Sequence, residues 1–217
     1  MPERDIRLRG TGRLADDLYL LGHDDRTGKC RLKPRPLGLG LAGGLLAELL
    51  LAGQADVTRE GLLVTGAKAA PDPRSHQGLL RLVTTEPGLL PVSDWLRFIS
   101  QTSAREVTAR LEHDGYLSVI PRRIPGLQDR RVPGNPQWAI TPITRAGAAL
   151  DPRRAADPYA CALAGLAAAC GLGFRLDQYL RPDRIVQDAV ASLAPGLRQV
   201  IAQTEVAVSA AVQSPRT

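Results

Sequence analysis

The chain has 217 residues, enough for one large domain or two small ones. Hydrophobic residues make up 44% and charged residues 23%, which is typical of a soluble globular protein and excludes wholesale disorder, a collagen-like repeat and a disulfide scaffold. Only 4% of the residues are aromatic, and among 28 basic residues only Lys29, Lys33 and Lys68 are lysine. The net charge of +6 indicates an anionic partner, either a nucleic acid or a membrane surface.

The first half of the chain predicts helices separated by short β-hairpins and loops. Residues 1–13 form an Arg-rich tail with no apolar leader segment, and the leucine spacing after it predicts a helix over 14–23. Asp16 and Asp17 lie in the first turn of this helix, where the helix dipole favours acidic side chains. The further elements are a possible short strand at 29–33, a helix at about 41–52 ending at Gly53, a hairpin over 55–65, a loop at 69–74 and a helix near 76–85.

The second half predicts more helices and a second, longer hairpin. Ser93 is expected to cap a helix over 94–101, and Ser103, with Glu106 completing a capping box, a helix over 104–114. A strand at 117–120 leads into a long loop over 121–136, with a returning strand at 138–140. Alanine-rich helices follow: one from Asp157 to about 172, continued over 175–180, then 182–193 and 195–213. The sequence therefore predicts a mainly α fold with small β-hairpins.

The motifs that often identify enzymes are absent or incomplete in this sequence. Gly38, Gly40 and Gly43 spell a dinucleotide-binding pattern, but prolines stand where a buried strand should precede it, and close helix packing explains these glycines at least as well. The three histidines are far apart, and the three cysteines form no metal-ligand pair. The weakly charged stretch at 37–53 has 17 residues, short of the roughly 20 that span a bilayer. We expect a non-enzyme without a metal or cofactor.

The excess positive charge is concentrated in one part of the chain. Residues 117–154 contain seven arginines and two aspartates, which gives seven minus two, or +5, of the total +6. A solubilised loop would account for this charge, and so would a patch that faces phosphate groups, which arginine binds in a bidentate manner. Trp138, Ile124 and Leu127 could make the hairpin tip amphipathic and suited to a bilayer interface.

Several segments together resemble the Golgi phosphoprotein 3 family, and more closely its bacterial (actinomycete, GPP-type) members. Residues 41–49, Leu-Ala-Gly-Gly-Leu-Leu-Ala-Glu-Leu, carry the most specific part of the resemblance. The other matching segments are 17–21 (Asp-Leu-Tyr-Leu-Leu), Asp25 with Gly28, the hairpin up to Val64, Trp95, 105–107, 110–111, 115–117 and the late helix at 160–172. The resemblance covers the chain from about residue 14 to beyond residue 190.

The resemblance implies one helical domain over 14–213, with a four-helix core, surrounding helices and a protruding basic β-hairpin at 117–141. For eukaryotic members it implies peripheral binding to phosphatidylinositol 4-phosphate, hairpin-assisted oligomerisation and membrane contact, and retention of Golgi glycosyltransferases through coat proteins. The lipid-pocket positions of the family align with Lys33, Ala42, Gln101 and Ala104, none of which is the residue the family uses there. The nearest cations are Lys33, Arg35 and Arg105.

These observations lead to one leading hypothesis and two alternatives. The leading hypothesis is a cytoplasmic protein that binds anionic membrane lipids peripherally and forms homo-oligomers through the hairpin. Its candidate lipid- and anion-binding residues are Lys33, Arg35, Arg105, Arg122, Arg123, Arg130 and Arg131. One alternative is a winged-helix-like nucleic-acid-binding regulator, in which helix 104–114 would enter the groove, although its Glu106, Glu112 and Asp114 would repel phosphates. The other is a scaffold that oligomerises through the hairpin and has no lipid role.

Overall fold

A computed structural model gives the architecture of the chain, and it describes residues 10–64, 89–121, 129–151, 157–173 and 182–214. Within these residues the fold has eight helices and two small antiparallel sheets, which confirms the mainly α prediction. The helices are α1 (Leu14–Gly22), α2 (Pro34–Leu51), α3 (Val92–Ile99), α4 (Ser103–His113), α5 (Pro136–Ala148), α6 (Pro158–Ala169), α7 (Pro182–Ala191) and α8 (Pro195–Gln213). The strands are β1 (Ala55–Val57), β2 (Leu62–Val64), β3 (Leu117–Ile120) and β4 (Arg130–Pro133). The predicted loop at 69–74, the helix at 76–85 and the helical stretch at 175–180 lie outside the described residues.

Helix α2 is the centre of the fold, and it contacts α1, α3, α4, α6 and α8. Its glycines allow these neighbours to approach closely. A Cβ atom at Gly44 would lie 2.9 Å from the Cα atom of Ala15 in α1, and one at Gly43 would overlap the hydroxyl of Thr204 in α8. Because contacts this short do not occur between real side chains, the glycine-rich pattern in α2 serves helix packing and is not a strand-to-helix phosphate turn.

Helix α2 begins at Pro34, seven residues earlier than the predicted start at 41. Pro34 and Pro36 both lie in the first helical turn, where the backbone N–H that proline lacks has no intrahelical partner. The glycines and prolines of 34–43 look like a loop when read locally, but packing against the neighbouring helices makes this stretch helical. Similarly, the possible strand at 29–33 is reduced to one β-bridge, between Cys30 and His23.

The returning strand predicted at 138–140 is wrong, because these residues belong to helix α5. The Asn135 side chain caps this helix by accepting a hydrogen bond of 2.9 Å from the backbone N–H of Gln137, and Pro136 occupies the first helical position. The actual partner of β3 is β4, in which Val119 lies opposite Arg131 and Ile120 opposite Arg130. The basic hairpin therefore ends at Pro133 rather than at 141.

Both serine caps predicted from the sequence are wrong. Helix α3 begins at Val92 with Pro91 in the cap position, and helix α4 begins at Ser103 with Thr102 in the cap position. Neither cap position has a side-chain hydrogen bond. The Ser103 hydroxyl is instead fully buried and used in a contact with α2. Two other helix ends have clear capping residues. Asp157 caps the beginning of α6, and Gly53, with φ of +66°, follows the end of α2 as predicted.

Leucine and alanine side chains of α1, α2 and α6 supply nearly half of the core, and Trp95 is its largest fully buried side chain among the described residues. None of the described helices combines the length and the apolar character that crossing a membrane requires.

Candidate anion-binding face and buried charge network

The beginning of α4 lies against the first half of α2, and three of the predicted cations are close in the chain to the two helix starts. The Ser103 hydroxyl donates a hydrogen bond of 2.8 Å to the Gly38 carbonyl oxygen. Lys33 directly precedes α2, Arg35 lies in its first turn and Arg105 lies in the first turn of α4; all three side chains are exposed. We call these three residues the basic end.

The backbone adds to the positive potential of the basic end. Helix α4 begins with unpaired N–H groups, which give its N-terminus a partial positive charge, whereas Pro34 and Pro36 leave the first turn of α2 with fewer such groups. The cap residues of both helices, Lys33 and Thr102, make no side-chain cap hydrogen bond that would neutralise these groups. The fold therefore has three exposed cationic side chains that are close in the chain to two helix N-termini.

The hairpin arginines contribute less free charge than the sequence suggests. Arg131 forms an ion pair with Glu112 of α4, through its Nε atom, and Arg130 is half-buried. Arg122 and Arg123 lie outside the described residues. Arg145, also within the positively charged stretch, forms an ion pair of 3.3 Å with Asp157.

The base of the hairpin is held against the loop between α1 and α2. Asp24 forms a turn in this loop, and its Oδ1 atom accepts a hydrogen bond of 2.9 Å from the backbone N–H of Thr27. The turn places Gly28 at φ of +64°, where its Cα is so close to the Arg131 carbonyl oxygen that a Cβ would overlap it. Gly28 is one of the residues that carry the family resemblance, and the close approach of β4 explains why no larger residue fits.

Acidic side chains in the core form the part of the site that sequence reasoning missed. Asp16 is completely buried, and its Oδ1 atom accepts a hydrogen bond of 2.8 Å from Nε of Arg110 in α4. Glu48 of α2 lies 3.6 Å from the same guanidinium and accepts a hydrogen bond of 2.7 Å from the backbone N–H of Ala15. Burial raises the pKa of Asp16 to about 7, although Arg110 acts in the opposite direction.

Asp17 faces the other side of α1 and has different partners. Its Oδ1 atom accepts hydrogen bonds from the backbone N–H (2.9 Å) and the hydroxyl (2.8 Å) of Thr11, and its Oδ2 atom accepts one of 2.8 Å from the Tyr159 hydroxyl. The Arg145 guanidinium stacks 3.6 Å above the Tyr159 ring. Burial raises the pKa of Asp17, although the hydrogen bonds from Thr11 and Tyr159 act in the opposite direction. Thr11, assigned from sequence to the tail, is thus bound to α1.

The four positions aligned with the family's lipid pocket are not equally accessible. Lys33 and Gln101 are exposed, Ala104 is half-buried, and Ala42 is completely buried in the core of α2. Three of these positions are therefore at least partly open to solvent, whereas Ala42 is not. Among the described residues, no group of three or more His, Cys, Asp or Glu side chains is arranged to hold a metal ion.

The architecture defines a mainly α-helical protein, built around a glycine-rich central helix, with a buried acidic network and a basic end where two helices begin. The family model described as Golgi phosphoprotein 3 (GPP34) matches residues 14–213, and the chain belongs to this family. This match confirms the resemblance seen in the sequence. Among curated proteins, the comparison found no match to this chain.

Proposed function

We propose that this protein is a non-enzymatic, peripheral membrane-binding protein that binds anionic lipid head groups. The observation that carries the proposal is the basic end, where Lys33, Arg35 and Arg105 are exposed beside two helix N-termini. The hairpin arginines, Arg122, Arg123, Arg130 and Arg131, extend the cationic contact. The protein would reach the membrane from the cytoplasm.

The charge of the basic end is sufficient for reversible binding. Each lysine or arginine close to an anionic leaflet contributes about 1 kcal/mol, so three contribute roughly 3 kcal/mol, or on the order of a hundredfold in affinity. Salt weakens such contacts because the Debye length is about 10 Å at 0.1 M ionic strength. The interaction is thus expected to depend strongly on salt and on the fraction of anionic lipid.

The expected selectivity among lipid head groups follows from the positions that align with the family's lipid pocket. Because Ala42 is buried and Gln101 and Ala104 carry no charge, the site lacks the cations that would distinguish one phosphoinositide from other anionic lipids. We therefore expect recognition by charge: vesicles with phosphatidylserine and vesicles with phosphatidylinositol 4-phosphate, matched in surface charge, should bind equally. A preference of tenfold or more for the phosphoinositide would contradict this expectation.

Vesicle flotation tests the proposal directly. The protein should float with vesicles that contain 30% anionic lipid at moderate salt, remain behind with neutral vesicles, and dissociate as salt is raised. A variant with Arg122, Arg123, Arg130 and Arg131 replaced by Gln should bind more weakly. Absence of binding to anionic vesicles would refute the proposal. Unchanged binding of the variant would show that the hairpin arginines do not contribute to membrane binding.

A scaffold that oligomerises through the hairpin is the second candidate, and two exposed side chains favour it. Val119 and Ile120 of β3 are 45% and 38% exposed, and they are adjacent β-branched residues on one strand of the hairpin. Replacing both with Ser should convert an oligomer into a monomer in size-exclusion chromatography with light scattering. If wild type is already monomeric at 100 μM, this candidate fails.

The nucleic-acid alternative is disfavoured by the direction of one side chain. Helix α4 offers two arginines, but Arg110 contacts Asp16 and Glu48 in the interior, which leaves Arg105, beside the exposed Glu106, as the one exposed arginine of this helix. One exposed arginine gives the helix few contacts to the phosphates of a duplex. A gel shift with mixed duplex DNA at low salt is expected to show no complex.

A further inference from the structure

Asp16 is a buried carboxylate whose second oxygen lacks a hydrogen-bond donor. Its Oδ1 atom accepts from Arg110, while Oδ2 is buried without any hydrogen-bond partner. Nη1 of Arg13 lies 3.6 Å from Oδ2, and that atom lies closer to Asp114, at 2.6 Å. A fully buried carboxylate oxygen without a donor is costly when the group is charged, and a proton on it removes much of that cost.

The surroundings of Asp16 contain several carboxylates that compete for the same guanidinium groups. Helix α2 contributes Glu48, which shares Arg110 with Asp16, and α4 contributes Asp114, which shares Arg13 with it. On α1 itself the neighbour is Asp17. Helices α5 and α6, which also contact α1, contribute Arg145 and Tyr159, and both act on Asp17 rather than on Asp16.

We propose that Asp16 is a proton-binding site of the folded protein, and that release of its proton weakens the attachment of α4 and the hairpin to α1. Without the proton, Asp16 and Glu48 would both be charged around one guanidinium in the core. Helix α4 is tied to the hairpin through the Arg131–Glu112 ion pair and to α1 through Arg110 and Arg13. Movement of α4 away from α1 would therefore also release β3 and β4.

The sign of the pH effect follows from linkage. The folded-state pKa of Asp16 is raised above the unfolded value of 3.8 to about 7, so the folded state binds more protons than the unfolded state between these two values. Stability from this group is complete below pH 4 and decreases as the pH rises to about 7. Between these two pKa values, the equilibrium constant for unfolding rises by up to about tenfold per pH unit.

Other groups also make stability depend on pH, and comparison with the variant Asp16→Asn separates their contribution from that of Asp16. Burial lowers the pKa of His23 in the folded protein. The contribution of His23 to stability therefore increases as the pH rises from its folded-state pKa to its unfolded-state pKa. Asp17, with its raised pKa, acts in the same direction as Asp16. The variant Asp16→Asn keeps the size of the side chain and the acceptor for Arg110 but cannot titrate. The difference between wild type and this variant therefore isolates Asp16.

Carboxyl ¹³C NMR of aspartate-labelled protein measures the site directly, with the Asp16 resonance assigned by through-bond connectivity. We expect this resonance to titrate with a midpoint near 7, and a midpoint near 4 would overturn the proposal. Urea unfolding from pH 5 to 8 should show the ratio of unfolding constants, wild type over Asp16→Asn, increasing at least tenfold. A ratio independent of pH would also overturn it. Asp188→Asn, on the exposed side of α7, is the matched control and should leave the pH profile unchanged.

Hydrogen exchange tests the coupling to the hairpin. After correction for intrinsic exchange rates, the amide hydrogens of 117–120 and 130–132 should be severalfold less protected at pH 8 than at pH 6 in wild type. In Asp16→Asn they should be equally protected at both values. If the NMR midpoint is near 7 but hairpin protection does not change with pH, the coupling to the hairpin is refuted. None of these measurements uses lipid, so their outcome is independent of the proposed function.

Discussion

The hydroxyl of Ser103 donates a 2.8 Å hydrogen bond to the carbonyl oxygen of Gly38, and this contact fixes the beginning of α4 against the first half of α2. The same region includes a second close approach, since a Cβ on Gly38 would lie 2.6 Å from the Ser100 carbonyl oxygen. Residues 65 positions apart in the sequence are thereby held together, and with them the beginning of α4, which carries Arg105, and the first half of α2, which carries Arg35 and follows Lys33. The basic end is a product of tertiary packing.

Removal of this hydroxyl should destabilise the fold. We expect Ser103→Ala to lower the free energy of unfolding by about 1 kcal/mol, because a buried hydrogen bond is lost while the Gly38 carbonyl can still accept within its helix. Urea unfolding measures the change. Ser93→Ala is the matched control: Ser93 is exposed on α3, and its loss should change stability by less than about 0.5 kcal/mol. Equal effects would show that the Ser103 contact is not stabilising.

The loop that supports the hairpin should tolerate no side chain at Gly28. Gly28→Ala introduces both left-handed strain, about 1 kcal/mol, and an overlap with the Arg131 carbonyl oxygen, so the free energy of unfolding should fall by at least roughly 2 kcal/mol. Gly12 also has a positive φ, of +78°, but none of the described atoms would lie within 4 Å of a Cβ there. Gly12→Ala should therefore show the strain alone. If the two variants lose the same stability, Gly28 does not hold the hairpin.

The Tyr159 hydroxyl should contribute more to the free energy of unfolding than a hydroxyl on the surface does. Tyr159→Phe leaves a buried oxygen of Asp17 without its donor, and we expect a loss of roughly 2 kcal/mol in thermal or urea unfolding. Tyr116→Phe preserves the edge contact between the Tyr116 ring and Trp138, at 5.0 Å between centroids, and should be close to neutral. A neutral Tyr159→Phe would indicate that Asp17 gains nothing from this hydrogen bond.

Local signals in the sequence were sufficient for the helices that begin with a proline after a clear break. The starts at Pro158, Pro182 and Pro195 agree with the prediction. Helix α5 was missed because Trp138 and Ile140 favour strands, although Asn135 followed by a proline is a helix-start signal that could have revealed it. In each case the information lies within a few residues of the element.

The buried network could not be predicted from the sequence. Asp16 and Asp17 fit the solvated first turn of a helix equally well, and only the fold brings Arg110, 94 residues away, to Asp16 and Tyr159, 142 residues away, to Asp17. Likewise, Ser103 has the local pattern of a capping box, but its hydroxyl is drawn to a backbone oxygen of another helix. The basic end was predicted as three separate cations, and their common location depends on that same contact.

The central claim is that the basic end binds anionic membranes, and flotation of two charge-matched variants tests it most directly. One variant replaces Lys33, Arg35 and Arg105 with Gln; the other replaces Arg59, Arg184 and Arg198, which are also exposed, and so loses the same charge elsewhere. We predict that the first loses at least tenfold in affinity for vesicles with 30% anionic lipid, whereas the second stays within about threefold of wild type. Equal affinities of the two variants would contradict the account.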